Sequence, residues 1–95
     1  MNRTEFETEC LAQGYSEIVD RRMEPNTTNP EHSHEFDVRL LVLEGEMTVT
    51  SEGERRAYRT GDSFAMSAGC RHTEQSGPLG AHYLAGRRYR HQTTS

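Results

Sequence analysis

The sequence predicts an all-β domain, an antiparallel sandwich or barrel preceded by one short N-terminal helix. Three observations carry that prediction. From Ile18 onward the apolar residues come in short alternating or β-branched runs, glycine-centred turns divide those runs every eight to twelve residues, and only the first dozen residues carry a helix-start signature. The 95 residues fit a single domain, 1–95, with no internal repeat or linker.

Each element follows from local chemistry. Thr4 followed by Glu7 is a capping-box pattern, so a helix is expected over residues 5–13, with Phe6, Cys10 and Leu11 facing inward and Gly14 closing it in the left-handed region. The β-branched pair Ile18 and Val19 marks a first strand. Pro25, Asn26, Asn29 and Pro30 predict a loop, because proline has no amide for a ladder and asparagine tolerates turns. In 36–43, Phe36, Val38, Leu40 and Val42 are apolar on one parity and Leu41 and Leu43 on the other, the pattern of a strand covered on both faces. Glu44 and Gly45 are expected to form a tight corner, after which Met47 and Val49 share one face. Turns at 52–54, 60–62 and 67–69 then separate "RRAYR", "SFAM" and "CRHTEQ", and a last break at "SGPLG" precedes "AHYLAG". The barrel thus spans about 16–86, and residues 87–95 form a loose tail.

Composition excludes several classes of function. The charge is 11 minus 15, or −4, so the basic face that phosphate neutralisation needs is missing and nucleic acid is not an expected partner. The basic run "RRYRH" belongs to the tail. No apolar stretch is long enough to cross a bilayer, and "MNRTEFETEC" lacks the apolar heart of a signal peptide, so a cytoplasmic location away from membranes is expected. Cys10 and Cys70 are then free thiols, and the sequons at Asn2 and Asn26 carry no meaning. A core of this size is small, which favours a stabilising metal or a dimer interface.

The chemistry concentrates in the histidines. Alternation on a strand puts His32 and His34 on one face, about 7 Å apart. Two imidazoles at that spacing can converge on one cation, and His72, beyond a turn, a strand and a second turn, is the natural third donor. A lone histidine is more often a surface residue; the pair with His72 points to a metal. Cys70, two residues before His72, is a secondary candidate for a sulfur ligand. His82 in the last strand is a candidate to orient a substrate or move a proton, against the alternative of an ordinary half-buried strand residue.

Here the chain resembles the cupin family, small jelly-roll barrels that commonly hold a metal between two motifs. The first motif, G(X)5HXH(X)3,4E(X)6G, falls on Asn26, His32, His34, Val38 and Gly45, and the second, G(X)5PXG(X)2H(X)3N, on Gly61, Ser67, Gly69, His72 and Ser76. Six of the ten marked positions agree, and 15 residues separate Gly45 from Gly61. The resemblance implies a cupin jelly-roll barrel with one divalent transition metal ion on His32, His34 and His72, a neutral set that does not choose among zinc, iron, nickel and copper. Val38 stands where the family places a glutamate. The adjacent Asp37 faces away under plain alternation, as a partner for Arg39 or solvent, and would join the metal only through a bulge near Glu35 or Phe36. Three-histidine cupins include dioxygenases acting on thiols and diketones. The expected function is therefore a mononuclear metalloenzyme, dioxygenase- or isomerase-like, acting on a small polar or anionic molecule. Its alternative is a non-catalytic binding or sensor module like the effector-binding cupin domains of regulators. The resemblance also implies a homodimer, with 5–23 as the pairing segment.

Overall fold

The computed structural model describes residues 1–89. Its elements are α1 (Arg3–Ala12), β1 (Glu17–Met23), β2 (Thr28–His32), β3 (Phe36–Ser51), β4 (Glu54–Arg59), β5 (Ser63–Met66) and β6 (His72–Tyr89). All strand pairs are antiparallel.

Helix α1 starts two residues earlier than expected. Asn2 is the cap, accepting from the Glu5 amide at 2.9 Å while the Glu5 carboxylate accepts from the Asn2 amide at 3.0 Å. Asparagine outranks threonine at this position, so the box forms on Asn2 and Glu5 and Thr4 lies inside the helix. At the other end Gly14 adopts φ +85°. The Tyr15 amide then donates to the Cys10 carbonyl at 2.8 Å and the Gly14 amide to that of Leu11 at 3.3 Å, a Schellman closure. Phe6 and Cys10 are fully buried, but Leu11 is 66% exposed and belongs to the outer face.

Two long strands organise the sheet. β3 and β6 pair with each other along both their lengths. One half of the sheet is β1–β6–β3–β5 and the other β2–β6–β3–β4. The expected corner at Gly45 and break at 76–80 are bends within these continuous strands, each marked by a register shift. At the first shift Leu43 is the extra residue, so the inward parity changes from Val38, Leu40 and Val42 to Met47 and Val49. Gly45 has φ +81°, and a Cβ there would collide with the Gly80 carbonyl oxygen, so the two bends pack directly on each other.

Two other expectations are corrected. The segment expected as a loop around Asn29 and Pro30 contains β2, whose bulge between Asn29 and His32 accommodates the missing proline donor. Arg87, Arg88 and Tyr89, assigned to the tail, complete β6 opposite β1 and β3. The rest of the expected tail, 90–95, lies outside the described residues.

Both faces of the first half-sheet are covered. Inside, Val38, Leu40, Val42, Met47, Val49 and Tyr83 form the main core. Outside, Leu41 and Leu84 pack against Phe6, Cys10 and Tyr15 of the helical segment. The two apolar parities of 36–43 thus serve two clusters.

Candidate metal centre

His32, His34 and His72 converge at the mouth of the sandwich. Antiparallel register sets His32 directly opposite His72, with ring centroids 4.3 Å apart. His34 lies in the link between β2 and β3 rather than on a strand; its ring stacks on Phe36 at 4.7 Å, and its carbonyl accepts from the Gly69 amide at 2.8 Å. One nitrogen from each ring lies within 4.8 Å of the others. Donors bonded to one ion at about 2.1 Å stand roughly 3 Å apart, a difference that side-chain rotation closes.

The tautomers suit a metal. His32 Nδ1 is 2.8 Å from the Pro30 carbonyl and His72 Nδ1 is 3.0 Å from that of Cys70. A carbonyl only accepts, so each Nδ1 carries a proton and, in the neutral ring, each Nε2 presents a lone pair. His72 Nε2 is buried and has no hydrogen-bond partner among the described residues. Buried polar atoms are rarely left so, and a bound cation would satisfy this one. His34 is pushed below the ordinary histidine pKa by burial, then by the nearby His32 and His72 rings, which keeps it in the neutral form that ligation requires. The donor set fits a divalent transition-metal ion.

A cleft of about 420 Å³ opens over the imidazoles. Phe36, Val38 and Met66 form an apolar wall, and Arg21 and Arg87 bring positive charge to a protein that is acidic overall. Arg87 is 3.2 Å from Glu17 Oε1 and lies over the Phe36 ring at 4.8 Å; Arg21 has no ion-pair partner among the described residues. Tyr83 also lines the cleft. Burial, then the Glu74 carboxylate, pushes its hydroxyl up to about 12, so it stays a phenol near neutrality. Glu74, Arg21 and Arg87 were not singled out as site residues by the sequence, although the His72-x-Glu74 spacing places His72 and Glu74 on one strand face.

The remaining candidates lie elsewhere. Asp37 is buried on the opposite side of β3, where Oδ1 accepts from the Ala68 amide at 2.8 Å and Oδ2 pairs with Arg88 at 3.0 Å, away from the histidine cluster, while Arg39 lies against Glu9 and Gln13. Cys70 Sγ sits 3.2 Å from Ser51 Oγ and is outside the histidine cluster. His82 is not in the cleft: it pairs with Asp20 at 2.8 Å, and its neighbour Tyr83 faces inward instead. The cause is the second bend. His72, Glu74 and Ser76 are buried on even positions, whereas Ala81, Tyr83 and Ala85 face the core on odd ones, so counting by twos from His72 misplaces His82.

Comparison with known proteins decides the family. The family model described as a cupin domain matches residues 19–76, more than half of the chain. The chain is a cupin. A protein of unknown function from Rhizobium leguminosarum bv. viciae 3841 is similar in structure, with TM-score 0.72 and 25% identity over 77% of the cupin and 69% of that chain. An oxalate decarboxylase from Bacillus subtilis superposes with TM-score 0.70 at 22% identity, covering 76% of the cupin and 20% of the larger enzyme. Drosophila melanogaster CENP-C, in a structure bound to CAL1, superposes with TM-score 0.66 at 21% identity over 76% and 64% of the two chains. Among curated protein sequences none matches the cupin significantly. No helix of the described residues is long and apolar enough to cross a membrane.

Proposed function

We propose that this cupin holds one divalent transition-metal ion on His32, His34 and His72 and acts on a small anionic, oxygen-bearing molecule as a mononuclear enzyme of the dioxygenase or isomerase kind. The observation that carries the reading is the buried, unpartnered Nε2 of His72, aimed with its two neighbours at one point beneath an open cleft. A bound ion supplies positive charge that attracts and polarises anionic oxygens. The protein does the rest. Arg21 and Arg87 hold the anionic end of the substrate at the mouth, Phe36, Val38 and Met66 exclude water from its apolar part, and the Tyr83 phenol keeps a proton to donate. The structural likeness to oxalate decarboxylase, named for a small anion, supports this substrate class. CENP-C, determined bound to CAL1, favours the second reading, a domain that binds and does not turn over its ligand.

Elemental analysis of protein purified without a polyhistidine tag tests the centre. One ion per chain is expected in the wild type and close to none in His32→Ala and His72→Ala; equal metal in all three removes the reading. Oxygen uptake with ferrous iron, and proton NMR of small carboxylates, thiols and diketones incubated with the protein, then separate turnover from binding alone.

A further inference from the structure

A carboxylate stands among the imidazoles. Glu74 follows His72 by two residues on β6 and lies directly opposite Asn29 of β2. Its side chain is 8% exposed, with Oε1 3.7 Å from His32 Nε2 and Oε2 3.9 Å from His72 Nε2. Asn29 Nδ2 donates to Oε1 at 3.0 Å, and no arginine or lysine pairs with Glu74 among the described residues. A carboxylate this deeply buried calls for a positive counterpart, which one neutral amide does not supply. In the neutral rings the facing nitrogens do not supply it either: with both Nδ1 protons on backbone carbonyls they present lone pairs, at distances too long for hydrogen bonds. Electron-rich groups gathered at one point repel unless a cation lies between them.

We propose that Glu74 is the fourth donor of the centre and its one anionic ligand, an inference that rests on the metal reading above. β6 then supplies two donors, β2 one and the β2–β3 link one, while Asn29 fixes the rotation of the carboxylate. Val38 on β3 contributes no donor, which leaves the β3 side of the ion facing the apolar wall of Phe36, Val38 and Met66. The open coordination positions and the substrate lie on that side. A carboxylate lowers the net charge of the centre from +2 to +1 and shifts its preference toward metals that accept oxygen donors, such as ferrous iron or zinc.

Zinc chloride is the probe. Tag-free wild type and Glu74→Gln are titrated with zinc at neutral pH against a chromophoric chelator, and infrared difference spectra are recorded between zinc-loaded and metal-free protein. Gln keeps the size of the side chain and can still accept from Asn29. The wild type is expected to bind one ion and to show a displaced carboxylate stretch on loading. Glu74→Gln is expected to lose that band and to bind at least about tenfold more weakly. Asn29→Ala should keep the band and lose less affinity. Equal affinity of wild type and Glu74→Gln, or identical difference spectra, overturns the assignment and leaves the three-histidine centre standing; a wild type that takes up no zinc overturns both. Thermal melts of the metal-free forms identify a variant that does not fold. In that event Glu74→Asp carries the test, with weaker binding and a retained, shifted band expected and wild-type affinity and spectrum overturning the proposal.

Discussion

His34 is the ring whose protonation the fold opposes most clearly. Its folded pKa lies below the ordinary 6.5 because burial, and then the two neighbouring imidazoles, disfavour the cation. The unfolded chain therefore takes the proton first. Metal-free protein has its full stability above 6.5 and loses it as pH falls from there through the lower folded value. Urea midpoints of metal-free protein should drop across that interval, and His34→Gln should flatten that part of the profile. Asp37 answers to a different test. Removing its guanidinium partner in Arg88→Ala should lower the unfolding free energy by about 1.5–3 kcal/mol, the range for hydrogen bonds to a charged group, and leave metal content unchanged. At this scale the three histidines were legible because their spacing carries their chemistry. The same spacing argument applies to His72 and Glu74, but nothing in the sequence displays that β2 lies opposite β6 and sets Asn29 against that carboxylate.

Strands were easier to predict than the way they continue. The apolar parities of 36–43 announced a strand sandwiched between two layers, and the structure has both layers. The glycines at 45 and 80, in contrast, suggest turns, yet they sit where two long strands bend and touch. Gly45→Ala adds the Cβ collision with Gly80 to the strain of a positive φ, and should destabilise by about 3 kcal/mol or more. Gly53 shares the positive φ, at +78°, but a Cβ there would meet nothing within 4 Å, so Gly53→Ala should cost only about 1–2 kcal/mol. Urea denaturation of the two variants side by side checks the contrast. β2 was hidden for a related reason: proline and asparagine disfavour a regular ladder, and a bulge lets the ladder proceed around them.

A metal held at the proposed centre would be linked to the fold of the whole molecule. A ligand that binds only the native state adds about 2.7 kcal/mol at one hundred times its dissociation constant, and for a chain of this length that corresponds to a rise of roughly 10–20 °C in Tm. Zinc should therefore raise the melting temperature of wild type by that amount and a chelator reverse it, with no response in His72→Ala. The dimer expected from the sequence is a proposal for the edge of β1 that is unpaired among the described residues, since α1 spends its apolar face on its own sheet through Phe6 and Cys10. Sedimentation at micromolar concentration should show two chains; a monomer removes the proposal.

Between Ser76 and Ala81, β6 advances five residues while its partner β3 advances two, from Gly45 to Met47. That odd detour decides which half of the side chains beyond it touches ligand. Loss of a single codon there would let plain alternation run from Ser76 to Tyr83 and remove the bulge that brings Gly80 against Gly45. Descent can therefore rewrite the exposed Pro78 and Leu79 freely, but it must preserve the number of residues between the bends.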